Sequence, residues 1–145
     1  MILARTASTT LSLGTAAADA TRPRRGELFD LILGSEAAAA DNSFLYLVQR
    51  FTAPGTNTAV TPQPLDPADA ATEFDAGQIN TVEPTYTANQ VIERIALNQR
   101  ATFRWQAVRD DCRPTWPATA SNGFGIQTPV SSAVLISATL HICER

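Results

Sequence analysis

Apolar and polar residues alternate along most of this chain with a period of two, the spacing that sends successive side chains to opposite faces of a β-strand. Over residues 6–13, Ala7, Thr9, Leu11 and Leu13 fall on one face and Thr6, Ser8, Thr10 and Ser12 on the other. That predicts a strand with one wet face. Residues 27–33 read as a more buried strand, with Phe29, Leu31 and Leu33 aligned, and 44–51 as a strongly apolar one. Short strands follow at 58–61, 79–82 and 85–87, punctuated by Pro62, Pro64 and Pro84. Residues 91–97 fit either a strand or a helix capped by Asn89, and the surrounding strands favour a strand. In 101–108, Phe103, Trp105 and Ala107 point inward and Thr102, Arg104 and Gln106 outward. The last strand, 132–143, buries Val134, Ile136, Ala138, Leu140 and Ile142 and leaves Ser137, Thr139, His141 and Cys143 on its other side.

One segment departs from this period. Asp66-Pro67-Ala68-Asp69-Ala70-Ala71 sets an acid at an N-cap, a proline at the first helical position and a second acid in the first turn. It predicts two turns of helix stopped by Gly77. Residues 34–42 and 113–125 read as loops, the second holding Pro114, Pro117, Asn122-Gly123 and Gly125. Eight or nine short strands, one short helix and evenly spaced turns predict a single all-β domain over residues 1–145. Its expected architecture is an antiparallel β-sandwich, specifically a jelly roll, preceded by a short N-terminal arm at 1–5. Such an arm either frays or adds to the sheet edge of a neighbouring protein.

Composition narrows the function. The chain has 145 residues, a net charge of −3 and only 17% charged residues, and its eleven basic residues are all arginine. This argues against a polybasic nucleic-acid binder and against an acidic disordered tail. No run approaches the ~18 apolar residues of a membrane span. The first 18 residues end in alanines but are too rich in Thr and Ser for a signal peptide. Cys112, Cys143 and His141 are too few to close a structural zinc site. The cysteines read as two separate thiols of a reducing compartment, with a disulfide between them left open.

No catalytic constellation stands out. His141 and Cys143 share a face two residues apart, but nothing at readable spacing orients the imidazole. Asp66, Asp69, Glu73 and Asp75 do not have the spacing of a calcium loop. No catalytic residue, cofactor or metal is therefore expected. The arginines are the remaining candidates. Arg22, Arg24 and Arg25 sit in one loop, and Arg104 faces outward in a run with Arg94, Arg100, Arg109 and Arg113. They form either a solvated face or a partner-binding surface, for which the planar guanidinium suits carboxylates and aromatic rings. Trp116, between Pro114 and Pro117, is either a plug beneath its own loop or an exposed platform. An exposed platform suits the alternative function, a β-sandwich tail or fibre module binding host glycan.

A series of segments carries a family resemblance. Gly34-Ser35 is followed by Asp41-Asn42 leading into 44–50, the turn Pro54-Gly55-Thr56-Asn57 and Pro64-Leu65-Asp66-Pro67. Glu83-Pro84-Thr85 and Leu97-Asn98-Gln99-Arg100-Ala101-Thr102-Phe103-Arg104-Trp105 complete it. The series resembles the capsid decoration, or cement, proteins of tailed bacteriophages over most of residues 5–143. The resemblance implies a jelly-roll protomer assembled as a homotrimer on the capsid exterior. There it would clamp neighbouring copies of the major capsid protein after the head expands. It implies a virion structural protein, assembled in the host cytoplasm, without enzyme activity. Its motifs carry no chemistry and transfer no contact residues.

Overall fold

The computed structural model describes residues 2–4, 12–37, 39–129 and 135–145. Eleven strands occur among them: β1 (Ile2–Ala4), β2 (Ser12–Ala18), β3 (Gly26–Ala37), β4 (Ser43–Ala53), β5 (Thr56–Val60), β6 (Phe74–Val82), β7 (Thr85–Asn98), β8 (Phe103–Gln106), β9 (Thr115–Trp116), β10 (Gly123–Gln127) and β11 (Leu135–Glu144). They form two antiparallel sheets. One runs β1-β11-β3-β8, with β9 also on β3, and the other runs β5-β6-β2-β10-β4-β7.

The pairing identifies the fold as a jelly roll. Strand β1 pairs with β11, β2 with β10, β3 with β8 and β4 with β7. This is one long antiparallel ribbon, its first strand matched to its last. Rolling the ribbon up adds the pairings β11–β3 and β10–β4, and the eight strands divide between two facing sheets. Strands β5 and β6 lengthen the β4–β7 hairpin. Only residues 54–55 and 83–84 join the two halves, so the hairpin bends there and lays β6 against β2. Gly55 sits at the bend with φ 71°, where a Cβ would strike the Val82 carbonyl.

Both sheets turn apolar faces to a common core. Leu31, Leu33, Ile136, Ala138 and Leu140 come from one sheet and Ala16, Tyr46, Val48, Phe124 and Ile126 from the other. The inward set expected for the last strand holds at Ile136, Ala138 and Leu140, while Ile142 is partly buried. Val134 lies outside the described residues, as does nearly all of the strand expected over 6–13.

Several expectations are corrected. Ile2–Ala4, within the expected N-terminal arm, is instead a strand of the chain's own sheet, with Ile2 opposite Leu140. The helix at 66–71 does not form. Its start signal works, since Asp66 accepts the Ala68 N–H (2.9 Å) and the Asp69 N–H meets the Asp66 carbonyl (3.1 Å). Glu144 then claims the next residues: its carboxylate accepts the Glu73 N–H (2.9 Å) and the Thr72 hydroxyl (3.2 Å). The chain is drawn out toward β6 before a second turn can close. Helix among the described residues is confined to a 3-10 turn, Asp110–Cys112. The expected loop at 113–125 contains β9 and the start of β10. Strands expected at 85–87 and 91–97 are one strand, β7, interrupted where Asn89 adopts φ 59° and the register to β4 slips.

Candidate partner-binding face

The outer face of the β1-β11-β3-β8 sheet carries two carboxylates that are almost fully covered. Glu27 and Asp30 are three apart on β3 and would point to opposite faces of a regular strand. The register to β11 slips between His141, opposite Asp30, and Ile142, opposite Leu28. That bulge turns both acids outward.

Asp30 is 1% exposed. Arg104 on β8 reaches it with two bonds, Nε to Oδ1 at 2.9 Å and a terminal nitrogen to Oδ2 at 3.0 Å. His141 on β11 adds Nδ1 to Oδ2 at 2.8 Å. The Arg104 hydrogen bonds hold the Asp30 carboxyl below its usual pKa despite burial, with further help from His141. An ionised carboxylate only accepts, so His141 Nδ1 carries the proton in this bond. Arg104 is in turn raised above its ordinary value by Asp30.

Glu27 is covered by charge and not by hydrogen bonds: its Oε2 lies 3.2 Å from Arg145 and 3.6 Å from Arg113 but accepts no hydrogen bond from them. Phe29 sits between the two groups. Its ring stacks on His141 (5.8 Å between centroids, 23°), and the Arg113 guanidinium lies 5.8 Å from the ring centre. Arg104 and Arg145 form the solvent side of this network, with more than half of each side chain exposed.

The arginine loop adjoins the Glu27 end. Arg22 and Arg24 take one oxygen each of Glu73, at 2.7 and 2.8 Å. Arg25 pairs by backbone with Arg145 in both directions, at 3.1 and 2.9 Å. Among the described residues the Arg25 guanidinium meets no carboxylate. The structure thus places Arg24 and Arg25 beside Arg145, holds Arg22 on Glu73 and sets Arg104 over Asp30. It does not bring Trp116 to the surface. That ring is 1% exposed, stands edge-on to Phe74 and Phe124, and donates its Nε1–H to the Arg24 carbonyl at 3.2 Å. The plug reading describes it, and an exposed sugar platform at this residue is excluded.

His141, expected as a surface histidine without an orienting group, has one in Asp30, 111 residues away in sequence. No hydrogen bond joins it to the Cys143 thiol, and the two cysteines are free. Of the acids weighed for calcium, Asp66 caps its turn and Glu73 is held by arginines. Among the described residues no three His, Cys, Asp or Glu side chains converge on a metal-sized site. Sequence reasoning missed Glu27, Asp30 and Arg145, while Arg113 belonged to the arginine run it singled out. A readable hint existed in two acids bracketing an aromatic within an otherwise apolar strand, Glu27 to Leu33.

No family model, curated protein or solved structure matches this chain.

Proposed function

We propose that this chain is a non-enzymatic virion structural protein of the tailed-phage capsid decoration type. In this reading it assembles as a homotrimer in the host cytoplasm, docks on the capsid exterior and reinforces the lattice of the major capsid protein. The resemblance of its residue series and the jelly-roll architecture support that reading.

The observation that carries it is the covered carboxylates under exposed arginines on one sheet face. Ordering a free arginine at an interface costs ~0.5–1.5 kcal/mol in lost rotamers. Asp30 already fixes Arg104 with two bonds, and Glu27 steers Arg145. The face therefore presents the Arg104 guanidinium in a set position at little further entropic cost, in keeping with the enrichment of arginine at interface hot spots. A reinforcing protein needs such a rigid contact because its role is to resist displacement.

The homotrimer is tested by sedimentation equilibrium of the isolated protein at micromolar concentration. A trimer mass supports it, and a strict monomer counts against it. The glycan alternative loses its one named residue, because Trp116 lies in the core.

A further inference from the structure

Beside the partner-binding face, a cleft of about 360 Å³ opens between the 61–73 loop and the end of β11. Its apolar wall includes Phe29, Pro62, Leu65 and Phe74, and its rim carries Asp69 and Glu144. Leu65 is 71% exposed at the mouth.

The floor is a strand edge without a backbone partner among the described residues. Within them, β1 pairs with β11 from Ala4 opposite Ala138 to Ile2 opposite Leu140. Past that point the direction of the backbone groups follows from the pairing to β3. Arg145 and Arg25 exchange both of their hydrogen bonds. Antiparallel pairs alternate between bonded and non-bonded, so Cys143 also faces β3 while Ile142 and Glu144 face the other way. The Leu28 N–H agrees, since it leaves β11 and bonds the Pro114 carbonyl at 2.9 Å on the far side of β3. The N–H and C=O groups of Ile142 and Glu144 thus point into the cleft. Among the described residues, no backbone group of the 61–73 loop bonds them.

From this juxtaposition we infer that the cleft is a strand-addition site for an extended peptide of a protein partner. The peptide continues the line of β1 antiparallel to β11, with apolar residues at alternate positions and basic residues between them. The open edge supplies main-chain hydrogen bonds, and the wall takes one apolar side chain. The rim sets the charge preference: Asp69 has no ion-pair partner among the described residues, and no arginine lines the cleft. This inference stands on the cleft alone and not on the capsid reading.

The probe is the peptide acetyl-Arg-Val-Arg-Val-Arg-amide, titrated into the isotope-labelled full chain and followed by amide resonances. The Ile142 and Glu144 amides shift, and their deuterium exchange slows at least tenfold at saturation. Ala70→Trp, which fills the cleft from an exposed loop position, abolishes both effects. Asp69→Asn weakens binding at least threefold without altering the fold. A peptide N-methylated at both valines, unable to pair with the edge, does not bind. Absent shifts at residues 142 and 144, unchanged exchange, or equal binding of the N-methylated peptide overturns the inference.

Discussion

Asp30→Ala removes the acceptor of three hydrogen bonds, two from Arg104 and one from His141. Breaking a fully buried ion pair costs about 3–5 kcal/mol. Here the Arg104 side chain is 59% exposed and regains water when released. Its share of the loss is therefore small, as for a pair open to solvent. The charge-assisted bond to the partly buried His141 adds ~1.5 kcal/mol. The expected cost is about 2 kcal/mol, or a urea midpoint lower by ~1 M for a slope near 2 kcal/mol per molar. The dependence on pH has a definite sign. The folded carboxyl titrates below the unfolded one. Its contribution is fully present above the unfolded value of ~3.9 and is lost as pH falls through the folded value. Urea melts of wild type and variant thus lie farthest apart near about pH 7 and converge in acid. A gap under ~0.5 kcal/mol at neutral pH, or one that widens below about pH 4, is incompatible with an ionised Asp30 anchoring Arg104 and His141.

Other consequences are as direct. Trp116→Ala empties a site packed by Phe74 and Phe124 and orphans the Arg24 carbonyl, so calorimetry should show a loss of ~3–5 kcal/mol. Trp116→Phe should lose less than half of that. Gly26→Ala places a methyl group into the Trp116 ring and should cost ~1–3 kcal/mol in the same assay. At Asn89, with φ 59°, Asn89→Gly should leave the melting temperature nearly unchanged, whereas Asn89→Val should cost ~1–2 kcal/mol. Arg24→Glu combined with Arg25→Glu should remove the Arg24–Glu73 pair at under ~1 kcal/mol of stability while weakening attachment to heads, read by sedimentation of decorated particles.

The strands were readable because their period is a local property. Ile136, Ala138 and Leu140 could be set on one face from spacing alone, and burial follows that spacing. The helix over 66–71 failed because its continuation was decided by Glu144, more than seventy residues away, and not by its own cap. Arg104 was legible as outward-facing. Its anchor was not, because Asp30 shares a face with Glu27 only through a bulge, and a bulge shifts register without a marker residue. The orienting group for His141 was hidden for the same reason. At Trp116 the flanking prolines left a plug and an exposed platform both open, and the clearance left by Gly26 decides for the plug by letting the ring fold under its own segment.

Attachment to a capsid is tested by mixing the purified protein with expanded heads that lack it and imaging the sedimented particles. Saturable density is expected at three-fold or quasi-three-fold positions, with the Arg104-bearing sheet face against the capsid, and that density is lost with Arg104→Glu. Heads that sediment bare at saturating protein, or density that persists unchanged with Arg104→Glu, rule out the proposed role.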